Sequence, residues 1–320
     1  MALIDVAELE IFYISYDEPN AEENWADLLN KVPWARRVHG VKGFDAAHKV
    51  CANQSETDRF ITVDGDNKVM TDFFEQELDV PDTDHDGNSL DQSIFSWNAK
   101  NILNGLVYGN GGLKCWPKQY ALDMKTHEDA DDGEGMEFCW KLNYIQLNDT
   151  FSEVHQTASP FQAFRAGFRE GVKMSLDQGK YVDATEFKDR IWWQNFNRLQ
   201  VWCNIGCDVE NGIWAMYGAR LGCKMSVLEE WDTNQISDYE WFKTFFDEIF
   251  AKVDESIMDL NDLTAALGEK LNEEIPGMLL INPDVKTSEF FKLTYTNPPR
   301  WGVMIREKQI QDLLQGQLKQ

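Results

Sequence analysis

Basic residues are scarce in this 320-residue chain, where 30 Lys and Arg face 55 Asp and Glu for a formal net charge of −25. A field of that sign repels polyanions, so free duplex nucleic acid would bind only where basic residues gather on one face. The same excess of carboxylates suits divalent cations, which can reverse the local charge where an anionic substrate binds. The charge therefore argues against general nucleic-acid binding and is compatible with a metal site.

The chain also lacks a membrane segment and a cysteine framework. No uncharged stretch approaches the length of a membrane span, and no basic region precedes the first apolar run. The six cysteines are scattered, and no second Cys or His pair joins Cys203 and Cys207 in a zinc set. We expect a soluble, cytoplasmic protein without membrane contact, whose thiols are reduced and lie in the core.

Hydrophobic residues make up 43% of the chain, enough to exclude general disorder. The first sixty-odd residues alternate between β-rich apolar runs and segments of helical spacing, which predicts an α/β sheet with parallel strands. Ligands should then gather at the carboxyl ends of those strands. The predicted strands cover residues 9–15, 36–41 and 59–63, and the predicted helices cover residues 20–32 and 45–55.

The remainder predicts mainly helices separated by acidic loops. We place a domain boundary near residue 230, between an α/β domain (1–230) and a mainly helical C-terminal region (231–320). Helices are predicted over residues 159–176, 184–202, 239–271 and 307–320, loops over 72–91 and 123–137, an extended segment over 294–301, and an element of ambiguous period over 95–107.

The most specific motif is Val63-Asp64-Gly65-Asp66-Asn67, at the end of a predicted buried strand. Two carboxylates presented together can hold Mg²⁺ or Mn²⁺, and the metal can bridge the phosphate oxygens of a nucleotide. Gly65 permits a tight turn and the close approach of a ligand. The alternative is an ordinary surface turn, since Asp-Gly and Asp-Asn both form turns readily.

Five phrases together resemble the metal-dependent glycosyltransferases of the GT-A fold, and in more detail phage-encoded glycosyltransferases. They are ISYDEPNAEENW, HGVKGFDAAHK, VDGDN, SWNAKN and YGNGGLKCWP. The group associated with TET/JBP enzymes, which glycosylates hydroxymethylated DNA bases, is similar to this chain. The resemblance implies a GT-A-like (Rossmann-like) mixed, mostly parallel sheet flanked by helices over roughly the first 230 residues.

The resemblance also implies the donor site. A nucleotide sugar, expected to be a UDP-sugar, would contact Ser15, Tyr16, Asp17, Lys49, Asp64, Gly65 and Asp66. Mn²⁺ or Mg²⁺ would bind Asp64, Asp66 and His155, because this fold often returns a histidine to the diphosphate, and a neutral imidazole is a suitable ligand. A hydrogen-bonded structural role for His155 remains the alternative.

A glycine-rich turn follows at residues 109–114, where backbone N–H groups could approach a sugar or phosphate. It lacks both the P-loop spacing and the dinucleotide fingerprint, and a tight connection is the alternative. The sugar or the acceptor is expected to contact Gly111, Gly112, Lys114 and Trp116.

An inverting transferase needs a carboxylate to deprotonate the acceptor hydroxyl. Glu128 and Asp129, in the acidic loop after the glycine turn, resemble the region that supplies this base. A solvated acidic loop is the alternative for each residue, and the assignment loses its reason if the enzyme retains anomeric configuration.

By resemblance, the preferred acceptor is a 5-hydroxymethylpyrimidine in phage DNA, such as 5-hydroxymethylcytosine, in the cytoplasm of an infected host. Residues 31–49, 165–173 and 188–198 combine cations with aromatics that could receive an extruded base, or they form ordinary amphipathic helices. A protein or glycan acceptor stays open.

Two other classes remain. One is a noncatalytic acidic metal-binding interaction module, for which residues 82–88 carry the spaced oxygen ligands of an EF-hand but have Ser93 at the twelfth position. The other is phosphoryl transfer through an aspartyl nucleophile, which would need further motifs that do not follow clearly.

Overall fold

The structure is a computed structural model that describes residues 2–83, 87, 89–109, 112–127, 144–229, 231–254 and 259–295. The strands are β1 (Ala2–Asp5), β2 (Glu10–Ser15), β3 (Arg36–His39), β4 (Arg59–Asp64), β5 (Asn67–Val69), β6 (Glu77–Val80), β7 (Ile94–Asn101), β8 (Val107–Tyr108), β9 (Lys114–Pro117) and β10 (Tyr144–Val154).

The helices follow the same order along the chain. They are α1 (Ala21–Lys31), α2 (Phe44–Gln54), α3 (Lys118–Asp123), α4 (Pro160–Lys173), α5 (Phe187–Arg190), α6 (Trp193–Asn204), α7 (Gly212–Leu228), α8 (Tyr239–Asp254), α9 (Leu260–Glu274) and α10 (Val285–Thr294). Within the part of the chain that the structure describes, no helix combines the length and apolar character needed to cross a membrane.

The predicted alternation of strands and helices in the first sixty-odd residues is confirmed. β2 pairs in parallel with both β3 and β4, and α1 and α2 form the connections between these strands. Successive side chains of a strand point to opposite faces. Accordingly, Tyr13 packs in the same cluster as Leu28 of α1, whereas Phe12 packs in the same cluster as Cys51 of α2.

The mixed α/β class is confirmed, but the prediction of a mostly parallel sheet is wrong. The main sheet of the described residues has eight strands in the order β3-β2-β4-β9-β7-β10-β5, with β8 on β7. β9 is antiparallel to both β4 and β7, and β5 is antiparallel to β10. A parallel pair needs a long crossover, usually through a helix, whereas β7 is followed by β8, which folds back antiparallel on β7, and β9 keeps that direction.

Asn20 directly precedes α1, but its side chain does not cap the helix. The Asn20 amide donates to the carbonyl oxygen of His155 at 2.8 Å and accepts from Gln162 Nε2 at 3.1 Å. The start of α1 is therefore tied to the segment after β10 and to the first turn of α4. Ser159 caps α4, because its Oγ accepts from the backbone N–H of Gln162.

Helices α4 and α7 pack backbone to backbone through glycines. A Cβ atom at Gly167 would lie 1.9 Å from the carbonyl oxygen of Ala215, and one at Gly218 would lie 2.4 Å from that of Phe164. No side-chain atom fits in such contacts. Small residues on both helices thus fix their separation and leave the other faces of α4 free for other contacts.

One apolar cluster covers this helix pair and the helices that follow. Phe164 and Phe168 of α4 pack with Phe242 and Phe246 of α8, and the cluster continues to Leu271 of α9. The cluster therefore crosses residue 230, the position of the predicted domain boundary.

Two predictions of local structure need correction. Residues 184–202 form two helices, because Ile191 is extended (φ −69°, ψ 133°) and buried between α5 and α6. Packing of that side chain outweighs the helical spacing of the segment. Residues 72–91 are not wholly loop, since a 3₁₀ helix spans Thr71–Glu75 and β6 pairs with β1.

Candidate functional site

The carboxyl ends of β2 and β4 lie side by side, because the two strands pair in parallel. Open α/β sheets bind ligands at the carboxyl ends of their strands. The loop after β2 carries Tyr16, Asp17 and Glu18, and the turn after β4 carries Gly65 and Asp66. The sequence prediction of a site at these two strand ends therefore agrees with the arrangement of the sheet.

Buried polar side chains hold the turn after β4. The Gly65 carbonyl oxygen accepts from Asn24 Nδ2 at 2.9 Å and lies 2.7 Å from the Tyr13 hydroxyl. A Cβ atom at Gly65 would lie 2.8 Å from the carboxyl group of Glu18. Glycine at this position therefore lets the two loops touch.

A second glycine brings the segment before β9 against the same turn. The backbone N–H of Asp64 donates to the Gly112 carbonyl oxygen at 3.3 Å, and a Cβ atom at Gly112 would lie 2.0 Å from Asp64 Cγ. Gly112 thus contacts the aspartate pair, whereas Gly111 lies outside the described residues.

The crowded carboxylates resist ionisation. Burial, followed by the nearby charges of Asp64 and Glu18, raises the pKa of Asp66 to about 7, although Gln156 Nε2 donates to its carboxylate at 2.8 Å. Burial also raises the pKa of Asp64, against the opposing influence of Lys114. A cation bound here would replace the proton that Asp66 holds near neutral pH.

His155 reaches this turn because β10 runs antiparallel to β5, and its backbone N–H donates to the Asp66 carbonyl oxygen at 2.7 Å. Its Nε2 atom is buried without a hydrogen-bond partner and lies 3.5 Å from Glu153 Oε2. Burial, assisted by Lys68, lowers the pKa of His155, so the ring is neutral at pH 7. Neutral imidazole is the form that binds metal.

The three predicted metal ligands do not form a ready cluster. Among the described residues, no three or more His, Cys, Asp or Glu side chains come together in a group that could hold a metal ion. Mg²⁺ is usually held by one or two carboxylates together with substrate phosphates and water, so Asp64 and Asp66 fit that type of site without a third protein ligand.

A cavity of about 230 Å³ opens beside Asp66. One side, which we call the strand-end wall, consists of Tyr16, Asp17, Glu18, Pro19 and Asp66. The opposite side, the helix wall, consists of α4 residues, namely Phe161, Gln162, Arg165, Ala166, Arg169 and Glu170. Gln156, Trp202 and Tyr239 complete the lining.

Tyr239 connects the two walls. Its hydroxyl donates to Asp17 Oδ2 at 2.8 Å, and its ring meets the edges of Tyr16 and Phe161, with centroids 5.8 and 5.6 Å away. Aromatic rings in this arrangement provide apolar faces for a flat ligand as well as polar groups at their rims.

The inner end of the cavity is closed by a buried hydrogen-bond chain. Tyr108 donates to Glu170 Oε2 at 2.5 Å and accepts from Trp202 Nε1 at 3.0 Å. The Arg198 guanidinium lies over the Tyr108 ring, 4.7 Å from its centroid. These contacts fix Glu170 and Trp202 in place.

Several predicted site residues lie near the aspartates without lining the cavity. Ser15 is buried, and its hydroxyl lies 3.0 Å from His39 Nδ1 and accepts from Arg37 Nε at the same distance. Lys114 lies in β9 close enough to Asp64 to favour its ionised form. Lys49 lies on α2.

Of the other predicted site residues, one lies in the core and two lie outside the described residues. Trp116 has no exposed surface, and its indole N–H donates to Thr62 Oγ1 at 2.8 Å. The indole is thus part of the core beneath the sheet. Glu128 and Asp129, the predicted base, lie outside the described residues, as does most of the EF-hand-like segment.

Sequence reasoning missed the helix wall as a ligand-facing surface and placed residues 165–173 in a basic surface stretch instead. The sequence does contain one signal for this surface. Arg165 and Arg169 are one helical turn apart, and Gly167 and Gly171 follow each by two residues, about 200° around the helix. A helix with glycines on one face and arginines on the other indicates close packing behind a cationic surface.

No family model, curated protein or solved structure matches this chain.

Proposed function

We propose that the protein is a metal-dependent glycosyltransferase that moves a sugar from a nucleoside-diphosphate sugar to an acceptor hydroxyl. The observation that carries the proposal is the position of Asp64 and Asp66 at the carboxyl end of β4, next to the parallel strand β2, with Asp66 in the lining of a cavity. The resemblance of the motif phrases to GT-A glycosyltransferases supports the same conclusion, including a GT-A-like fold for the sheet domain.

Asp64 and Asp66 would hold Mn²⁺ or Mg²⁺, with His155 as a further candidate ligand. The metal, when bound, supplies positive charge that stabilises the leaving diphosphate. The raised pKa of Asp66 supports this role, because a crowded carboxylate pair gains most from a bound cation. Metal affinity should therefore increase as the pH rises through about 7.

The strand-end wall would receive the nucleotide sugar. Tyr16 and Tyr239 offer aromatic faces to the base or the sugar, and Gln156 and Gln162 offer amide groups to hydroxyls. A cavity of about 230 Å³ is smaller than a nucleotide sugar needs by the usual range of ligand pockets, so the donor would extend out of its open side.

In the transfer step, the acceptor oxygen bonds to the anomeric carbon while the bond from that carbon to the diphosphate breaks. The acceptor proton passes to a carboxylate, for which Glu128 and Asp129 remain the candidates from the sequence. The products are the glycosylated acceptor and the nucleoside diphosphate.

The preferred acceptor is a 5-hydroxymethylpyrimidine in DNA, with a protein or a glycan as the alternative. Trp192 and Trp193 are 52% and 58% exposed, and the Arg198 guanidinium lies 5.9 Å from the centroid of the Trp192 ring. Exposed indoles beside a cation suit stacking with an unpaired base. The net charge of −25 opposes DNA binding, so the acceptor must be tested directly.

The test is release of nucleoside diphosphate from a panel of nucleotide sugars, with Mn²⁺, Mg²⁺ or chelator, and with or without hydroxymethylated DNA. We expect metal-dependent release that falls at least about a hundredfold in Asp66→Asn, as for loss of a major electrostatic group. Asp72→Asn, a change of an exposed aspartate, is the control.

Each other outcome has a distinct meaning. Metal-dependent release that ignores the DNA would keep the transferase and reject the acceptor. Metal binding without any nucleotide-sugar turnover would favour the noncatalytic interaction module. Equal turnover in wild type and Asp66→Asn would remove Asp66 from the mechanism.

A further inference from the structure

The helix wall places two cations in the same cavity as Asp66. Arg165 and Arg169 lie one turn apart on α4, both line this cavity, and Arg165 lies close enough to Asp66 for the two charges to interact. Arg169 is anchored, because its Nη1 atom donates to the Ile236 carbonyl oxygen at 2.8 Å.

Arg165 is held by aromatic rings. Its guanidinium carbon lies 5.4 Å from the centroid of the Tyr239 ring and 5.6 Å from that of Phe242. Its Nε atom is buried and has no hydrogen-bond partner among the described residues. A buried donor on a cation is costly to leave unpaired, and such a group in a cavity wall marks the place where an anion would bind.

Arg165 keeps its charge at neutral pH. Burial and the neighbouring Arg169 lower its pKa to about 10, while Tyr239, Asp66 and Glu18 act in the opposite direction. The guanidinium is therefore almost fully protonated at pH 7.

The carboxylates around the cavity already have donors of their own. Asp17 accepts from Tyr239, Glu170 from Tyr108, and Asp66 from Gln156. Glu18 accepts from the backbone N–H of Tyr16 at 2.7 Å. Arg165 is thus left without an ion pair in the described residues, although acids surround it.

We propose that Arg165, supported by Arg169, binds the diphosphate of the nucleotide directly from the helix wall, opposite the metal-holding aspartates. The guanidinium fork matches the geometry of phosphate oxygens and can donate two parallel hydrogen bonds. This inference rests on the proposed function and adds a second source of positive charge for the leaving group. Release of the nucleoside diphosphate would then depend on an arginine as well as on a metal.

The test is calorimetric titration of the full chain with inorganic pyrophosphate at pH 7.5 in Mg²⁺, repeated in chelator. We expect Arg165→Gln to weaken pyrophosphate binding about tenfold or more, as for loss of a charged hydrogen-bond donor. Arg165→Lys keeps the charge but loses the fork, so its affinity should lie between those of wild type and Arg165→Gln.

Arg190→Gln is the matched control, because Arg190 lies outside the cavity and pairs with Asp177 at 3.1 Å on the surface. It should leave pyrophosphate affinity unchanged. Circular dichroism of each variant tests whether it is folded, and Arg165→Lys keeps the test valid if Arg165→Gln does not fold.

The inference is overturned if wild type binds no pyrophosphate in either buffer, or if Arg165→Gln binds as tightly as wild type. An equal loss in Arg190→Gln would also overturn it, since net charge alone would then explain the binding. Arg165-dependent binding without turnover of any nucleotide sugar would keep the anion site and reject the glycosyltransferase. Turnover that needs Asp66 but not Arg165 would keep the glycosyltransferase and reject the anion site at Arg165.

Discussion

The two walls of the cavity are built by different forces. The helix wall is held in place by the packing of α4 against α7, whose glycines let the two backbones come closer than any side chain would permit. The strand-end wall depends instead on single polar contacts, such as those from Asn24 to Gly65 and from Gln156 to Asp66. Its carboxylates repel each other, whereas the helix wall carries the guanidinium groups of Arg165 and Arg169.

Substitutions in the two walls should therefore have different effects on the stability of the fold and on ligand binding. A change behind the helix wall alters close packing and should affect the fold before it affects the ligand. A change in the strand-end wall alters charge and position at the aspartates, and should affect the ligand more than the fold. Three predictions test this separation, in order of decreasing effect on stability.

Gly167→Ala should give the largest loss of stability. Its new Cβ atom would lie 1.9 Å from the Ala215 carbonyl oxygen, so α4 and α7 must move apart. We expect a loss of about 3 kcal/mol or more in the free energy of unfolding, measured by denaturant titration. Ala251→Ser adds one heavy atom to an exposed position of α8 and should change stability by less than about 0.5 kcal/mol.

A wild-type melting curve for Gly167→Ala would contradict the account of the helix pair. It would mean that the two helices can separate without cost, and that the helix wall is not fixed by its glycines.

Gly112→Ala should reduce both stability and activity. The added Cβ atom would meet Asp64 Cγ at 2.0 Å and displace that carboxylate. We expect a destabilisation of about 1–3 kcal/mol and at least a tenfold fall in metal-dependent release of nucleoside diphosphate. Gly87→Ala, where the new atom meets nothing within 4 Å but the φ of 85° strains an alanine, should lower stability and leave release intact. Full activity in Gly112→Ala would remove Asp64 from the site.

Asp66→Asn should stabilise the protein at high pH. Because the folded-state pKa of Asp66 is raised to about 7, the unfolded chain loses this proton first, and wild-type stability falls between about pH 4 and pH 7. Asparagine removes that penalty, so the variant should melt higher than wild type at pH 8 and equally at pH 4. Thermal melts in chelator measure this, with Asp72→Asn as the control.

A lower melting temperature for Asp66→Asn at pH 8 would mean that ionised Asp66 stabilises the fold. That result would contradict the crowding of carboxylates on which the metal proposal depends.

Local patterns in the sequence predicted β4 and the place where it ends. An apolar run that ends in Asp-Gly-Asp fixes both the strand and the position of its carboxylates, because a few consecutive residues suffice. The strands β2, β3 and β4 and their connecting helices follow from the same kind of local signal. Pairing of β9 between β4 and β7 does not, since antiparallel insertion depends on contacts distant in the chain.

The cavity lining from α4 and α8 could not be predicted from local patterns, because its contacts also join residues that are distant in the chain. Tyr239 and Asp17 form a hydrogen bond although they are 222 residues apart in the chain. In the sequence, Arg165 is indistinguishable from a surface cation of an amphipathic helix. The packing of α4 shows that its side of the helix faces the cavity. Trp116 next to the glycine turn was predicted to contact sugar or acceptor, whereas pairing of β9 buries it completely.

The most direct test of the account is a crystal structure of the protein with Mn²⁺ and pyrophosphate, examined by anomalous scattering from the manganese. We predict one strong peak in direct contact with carboxylate oxygens of Asp64 or Asp66, and a pyrophosphate that spans from that peak to the Arg165 guanidinium. A manganese peak elsewhere, or none at saturating metal and pyrophosphate, would contradict the assignment of this cavity as a metal-dependent diphosphate site.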